Sequence, residues 1–86
     1  MAEYRVEIKR PAERDLESLE SNLARRILSA IGPLASEPRP RHCRKLVGSE
    51  NSYRLRVGRY RVLYQVDDEN RLITVFAIGH RREIYR

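Results

Sequence analysis

Residues 52–66 read S-Y-R-L-R-V-G-R-Y-R-V-L-Y-Q-V, two alternating runs on either side of Gly58-Arg59. A glycine at the first position of a two-residue loop suits a type II′ turn, and such a turn sets the register of a β-hairpin. Val57 then faces Tyr60, Arg56 faces Arg61, Leu55 faces Val62, Arg54 faces Leu63 and Tyr53 faces Tyr64. Side chains alternate along a strand with period 2. Tyr53, Leu55, Val57, Tyr60, Val62, Tyr64 and Val66 therefore share one apolar face. The other face carries Arg54, Arg56 and Arg61. Like charges directly opposite each other on paired strands are destabilising, so a fold that keeps Arg56 against Arg61 either solvates them or offers them an anion. The arginine fork matches phosphate geometry.

The chain around this hairpin has 86 residues and a net charge of +6, with a pI near 10.1. That length predicts one domain, residues 1–86, with a modest core; a domain of this size buries only about 60% of its unfolded surface. A basic balance favours nucleic acid or an acidic protein as partner. The charge is uneven: residues 39–64 hold Arg39, Arg41, Arg44, Lys45, Arg54, Arg56, Arg59 and Arg61 against Glu50 alone. The first helical stretch carries Glu13, Asp15, Glu17 and Glu20, which places the positive field on the sheet side. Cys43 is the only cysteine, which excludes an internal disulfide framework. His42 and Cys43 are two adjacent potential ligands where a zinc site takes four, so neither metal nor cofactor is expected. No apolar run opens the chain and none reaches the length of a membrane span. The expected setting is cytoplasmic, with no membrane partner.

Residues 4–9 alternate as Y-R-V-E-I-K and predict a strand with Tyr4, Val6 and Ile8 on its buried face. Pro11 suits the first turn of a helix, whose apolar stripe is Ala12, Leu16 and Leu19. A break follows near residues 20–22, with Ser21 or Asn22 as the expected cap of a second helix. Leu23, Ile27, Leu28, Ile31 and Leu34 form its expected apolar face. Gly32-Pro33 predicts a kink or a reset, and Pro38 and Pro40 end the helical half. Residues 44–47 predict a short strand before a loop at 48–51. Residues 67–70 (D-D-E-N) make a polar turn. Residues 72–78 (L-I-T-V-F-A-I) are apolar on both sides except at Thr74, the pattern of the central or most buried strand. The order β-α-α-β-β-β-β describes an α+β fold, with two N-terminal helices packed on one face of a small, twisted, mostly antiparallel sheet.

Three segments taken in order, Y-R-L-R-V (53–57), Y-R-V-L-Y-Q-V (60–66) and G-H-R-R-E-I-Y (79–85), resemble the RelE/ParE superfamily of toxins from type II toxin–antitoxin systems. The helical half and its Pro-rich exit into Cys43-Arg44-Lys45-Leu46 are similar to the same family. The likeness covers essentially the whole chain, and it implies the α+β fold already read from the pattern. It also implies an activity. RelE-type members cut messenger RNA in the ribosomal A site, where the 2′-hydroxyl attacks the adjacent phosphate to leave a 2′,3′-cyclic phosphate and a 5′-hydroxyl. The implied partners are the 70S ribosome with its mRNA, a cognate acidic antitoxin, and operator DNA only through that antitoxin.

Carried over by position, the resemblance makes Arg56, Arg61, Arg81 and Tyr85 the candidate catalytic residues. Arg44, Lys45, Arg54, His80 and Arg82 become candidate RNA contacts. Arg56 and Arg61 suit stabilisation of the charge that gathers on a pentacoordinate phosphate. Arg81 could brace the scissile phosphate or assist the leaving 5′-oxygen, and Tyr85 could stack on a base. The chain departs from the family at Arg54 and Arg56, where well-known active members carry lysine. Arginine stays charged and cannot serve as a base, which leaves His80, Glu83, Lys45 and Tyr85 as candidates. Two other readings remain open at the level of sequence. One is a ParE-like toxin that acts on DNA gyrase without cutting RNA, and the other is an inactive homologue that only binds its antitoxin.

Overall fold

The computed structural model describes residues 3–82. Strand β1 (Arg5–Ile8) leads into helix α1 (Arg10–Glu17) and helix α2 (Ser21–Ile31), then β2 (Cys43–Lys45), β3 (Ser52–Val57), β4 (Tyr60–Asp67) and β5 (Leu72–His80). The five strands form one sheet in the order β1-β5-β4-β3-β2. All neighbours are antiparallel except β1 and β5. Chain order and fold class agree with the expectation from the sequence pattern.

The hairpin register is the expected one: Val57 pairs with Tyr60, Arg56 with Arg61, Leu55 with Val62, Arg54 with Leu63 and Tyr53 with Tyr64. Gly58 has φ 62° while Arg59 keeps a negative φ, the combination of signs that a type II′ turn requires. The apolar face meets the helices. Leu55, Val62, Tyr64 and Val66 from the hairpin, with Ile73, Val75 and Ile78 from β5, pack against Ala12, Ile27, Ile31 and Leu34. Val6 and Ile8 of β1 close one side of this core.

Several local expectations shift. The carboxylate of Glu20, not Ser21 or Asn22, caps α2, accepting from the backbone N–H groups of Asn22 (2.7 Å) and Leu23 (3.1 Å). A charged acceptor at a helix N-terminus also meets the positive end of the helix dipole, which a serine hydroxyl cannot match. Leu28 is 46% exposed; it sits one residue, about 100° of helix rotation, from Ile27 and falls outside the Leu23–Ile27–Ile31 stripe. Gly32-Pro33 resets the helix into a 3₁₀ turn (Gly32–Ala35), because Pro33 has no N–H to continue the ladder. The centre of the sheet is β4 and not β5. The two-sided apolar pattern of β5 comes from a bulge: Leu63 pairs with Ala77 but Tyr64 with Val75, leaving Phe76 as the extra residue. The bulge changes the phase of β5, so Ile73, Val75 and Ile78 all reach the core. Beyond the end of β1, Asp15 of α1 accepts the Ile78 N–H at 3.1 Å, a group whose burial without a partner would cost about 1–3 kcal/mol.

The segment between the helices and β2 is clamped to the sheet. The Tyr64 hydroxyl, in the core, donates to the Pro38 carbonyl at 2.7 Å. Arg39 donates through Nε to the Tyr53 hydroxyl (2.8 Å) and through Nη1 and Nη2 to both carboxylate oxygens of Asp68 (3.3 and 2.8 Å). The Arg39 guanidinium lies 5.3 Å from the centroid of the Tyr53 ring, which in turn stacks on Tyr64. Tyr4 completes the clamp by donating its hydroxyl to Asp68. Arg39 first, then Tyr4, hold the Asp68 carboxyl below its ordinary range. Hydrogen bonds from Asn70 do the same for Asp67. A carboxyl whose folded pKa is depressed contributes stability above its unfolded pKa and loses it as pH falls through the folded value. Urea midpoints should therefore hold steady from pH 7 to 5 and fall below about pH 4, near the unfolded aspartate value. Asp68→Asn should flatten that acid limb, and an unchanged limb would remove Asp68 from the cause.

Candidate functional site

The sheet face turned away from the helices is arginine-rich because the hairpin register places it so. Arg56 pairs with Arg61, and the short edge strand β2 adds Arg44 opposite Arg54. Two like-charged cross-strand pairs thus lie side by side. A cleft of about 350 Å³ opens over them, lined by Arg41, His42, Arg44, Arg54, Arg56 and Arg61. Among the described residues no carboxylate lines it.

Arg61 is the side chain that sets the character of this cleft. It is 7% exposed, and its Nε and Nη1 are buried with no hydrogen-bond partner. A buried charge is ordinarily paired. Here the fork is desolvated, held by the central strand, and faced by Arg56 across the ladder. An oxyanion in the cleft would screen the cross-strand repulsion. The bidentate geometry favours a phosphate or carboxylate over a point charge. Leu63, on the same face and 7% exposed, gives this region a low-dielectric wall that strengthens such contacts.

Of the residues singled out from sequence, the structure brings Arg44, Arg54, Arg56 and Arg61 together. Lys45 pairs with Tyr53 and lines a neighbouring cavity with Leu46, Val47, Arg54 and Leu63. Arg81 and Arg82 follow the end of β5, exposed, and the Arg81 N–H donates to the Arg59 carbonyl at the hairpin turn (2.9 Å). His80 does not join the cleft. It pairs with Tyr60, a residue of the helix-facing side, and the two rings meet edge to face with centroids 5.4 Å apart. Its Nδ1 accepts the Arg82 N–H at 3.2 Å. Tyr85 and Glu83 lie outside the described residues.

Two lining residues were not visible as site residues in the sequence. Arg41 shows there only as part of a charge run. His42 draws notice only beside Cys43, as an incomplete metal site. No sequence signal placed His42 there, because it lies in the turn before β2, where strand alternation does not apply. Among the described residues no group of three or more His, Cys, Asp or Glu could hold a metal ion, and no helix is long and apolar enough to cross a membrane.

This fold and its arginine-lined cleft define a small α+β domain with one strongly cationic sheet face, and comparison with known proteins places it. The family model described as "ParE toxin of type II toxin-antitoxin system, parDE" matches residues 6–85. The toxin RelG of Mycobacterium tuberculosis is 34% identical over 88 residues, covering 96% of this chain and 97% of RelG. The archaeal RelE–RelB complex from Pyrococcus horikoshii contains a chain 34% identical to this one, with a TM-score of 0.82 over 93% of this chain and 97% of that one. A chain of the M. tuberculosis toxin–antitoxin complex RelBE2 is 30% identical, with a TM-score of 0.80 over 96% and 97% of the two chains. The chain belongs to the RelE/ParE superfamily, as a RelE-like toxin of a type II toxin–antitoxin system.

Replacing Arg61 by an apolar side chain of similar length separates its stability cost from its binding role. Arg61→Met should be as stable as the parent or more so, by up to about 1–4 kcal/mol, the range seen when buried charges give way to well-packed apolar groups. Inorganic phosphate should raise the Tm of the parent and not that of the variant. An equal phosphate shift in both proteins would take Arg61 out of the anion site.

Proposed function

We propose that this toxin is a ribosome-dependent mRNA endonuclease that cuts in the A site by attack of a 2′-hydroxyl on the adjacent phosphate. The observation that carries this reading is Arg61, whose buried Nε and Nη1 lack a hydrogen-bond partner, in a cleft that the described residues line with five arginines and no carboxylate. In-line transesterification places extra negative charge on the phosphoryl oxygens in the transition state. Donors fixed beforehand and kept from water stabilise that charge without reorganising. Arg61 and Arg56 take that role, with Arg54 and Arg44 holding the flanking backbone. Arg81, whose backbone is tied to the hairpin turn, is assigned to the leaving 5′-oxygen or the downstream phosphate. Tyr85 is assigned to stacking on a base. A gyrase-directed toxin works through protein contacts and has no use for a desolvated phosphate cradle.

Primer extension on a defined mRNA, with and without 70S ribosomes, tests the reading. The purified chain should cut only with ribosomes present. Arg61→Ala and Arg81→Ala should each lose at least about 10²-fold in cleavage rate, the scale of removing one preorganised oxyanion donor. No cuts from folded, antitoxin-free protein, together with inhibition of gyrase supercoiling, would establish the ParE-like reading instead.

Several relatives of known structure are complexes of toxin with antitoxin, the RelE–RelB complex of P. horikoshii among them. By the same reading, this chain is held inactive by a cognate acidic antitoxin that lies over the basic face, and operator DNA is reached only through that antitoxin. Antitoxin affinity should fall steeply as salt rises, because exposed charges are screened beyond a Debye length of about 8–10 Å. An affinity indifferent to salt would mean that apolar contacts, not the arginine face, carry the complex.

A further inference from the structure

We propose that His42 is the general base of this cleft, the group that takes the proton from the attacking 2′-hydroxyl; the assignment rests on the nuclease reading above. Among the described residues six side chains line the cleft, and five of them are arginines. Arginine does not deprotonate in proteins, so none of the five can accept a proton. Among these six, His42 alone has a nitrogen lone pair that can accept one. Among the described residues no lysine, tyrosine or carboxylate lines the same cleft.

The backbone supports the placement. The Cys43 N–H donates to the Pro40 carbonyl at 3.0 Å, closing a four-residue turn with His42 at its third position. That turn is anchored from behind by the bonds of Pro38 and Arg39 to Tyr64, Tyr53 and Asp68. His42 is exposed and lines the cleft that also holds the buried Arg61. His80, the other histidine, stands on the opposite face of the sheet against Tyr60. The charged groups that share the cleft with His42 are Arg41 and Arg44 on its own segment, Arg54 and Arg56 on β3, and Arg61 on β4. They hold the phosphate, and the imidazole handles the proton.

The chemistry balances without a further reagent. The O2′–P bond forms as the P–O5′ bond breaks. The 2′ proton passes to His42, the 5′-oxygen takes a proton from water, and His42 returns its proton to solvent.

Single-turnover cleavage of mRNA on 70S ribosomes, followed from pH 5.5 to 8.5, tests the assignment. The parent chain should show a rate that rises with pH through an imidazole ionisation. His42→Gln should lower the maximal rate about 10²–10⁴-fold, leave the concentration for half-saturation with ribosomes unchanged, abolish the acidic limb, and recover in part on addition of free imidazole. Thermal unfolding of the variant verifies that it folds. A His42→Gln protein that cuts within twofold of the parent with the same pH profile overturns the assignment while leaving the nuclease reading intact. The same holds if the limb disappears in His80→Gln and persists in His42→Gln. Absence of cleavage by the parent itself overturns both.

Discussion

The structure depends on one register, that of the hairpin around Gly58. A slip of one residue between β3 and β4 would send every side chain to the other face. Gly58 at φ 62° holds the turn, and the burial of Leu55, Val62, Tyr64 and Val66 against the helices penalises any alternative. Burying each such side chain is worth about 1.5–3 kcal/mol, against roughly 0.2–1 kcal/mol for an unfavourable cross-strand pair. The apolar face therefore outweighs the repulsion on the other. Arg56 and Arg61 face each other because the core below them leaves no second solution.

A second constraint places the rest of the cleft. Tyr64 has its ring in the core and its hydroxyl on the Pro38 carbonyl. Burial first, and the neighbouring Cys43 thiol, push its phenol well above its ordinary range, so it stays a neutral donor. Through that bond, and through Arg39 on Tyr53 and Asp68, the core dictates where the chain re-enters the sheet as β2. Arg41 and His42 are carried into the cleft by this clamp, not by any strand of their own. The same strand, β4, thus supplies the buried Arg61 and the tyrosine that anchors the opposite wall.

The two constraints differ in how far they can be read from sequence. The hairpin is local: its turn residues and its alternation are contiguous, so register, faces and the Arg54/Arg56/Arg61 patch follow from pattern alone. The pairing of Arg44 with Arg54 follows once β2 is recognised. The clamp is made of contacts between residues 14 to 64 positions apart, which no periodicity announces. The β5 bulge was masked for the same reason, since its apolar run reads equally well as a strand buried on both faces. In the sequence His80 is a candidate base by residue type, and His42 draws notice only as an incomplete metal ligand beside Cys43. Parity across β4–β5 pairing, which requires the fold, separates them.

What distinguishes this cleft is that its cost is borne before any ligand arrives. Arg61 is desolvated and unpaired in the free protein, where a lysine in the same place could shed its proton and become neutral. Arginine has no such escape. With arginine also at positions 54 and 56 the cleft is locked into full charge, which suits gripping a phosphate and bars every one of those side chains from proton transfer. A site built in this way must separate charge stabilisation from base catalysis and assign the second task to a different kind of group. Among the described residues, the turn before β2 brings such a group to the cleft, and the turn is anchored by Tyr64 and Arg39 rather than by the cleft itself. On the proposed nuclease reading, phosphate binding and proton transfer then fall to different elements, the hairpin and the clamp, and a substitution in one need not disturb the other.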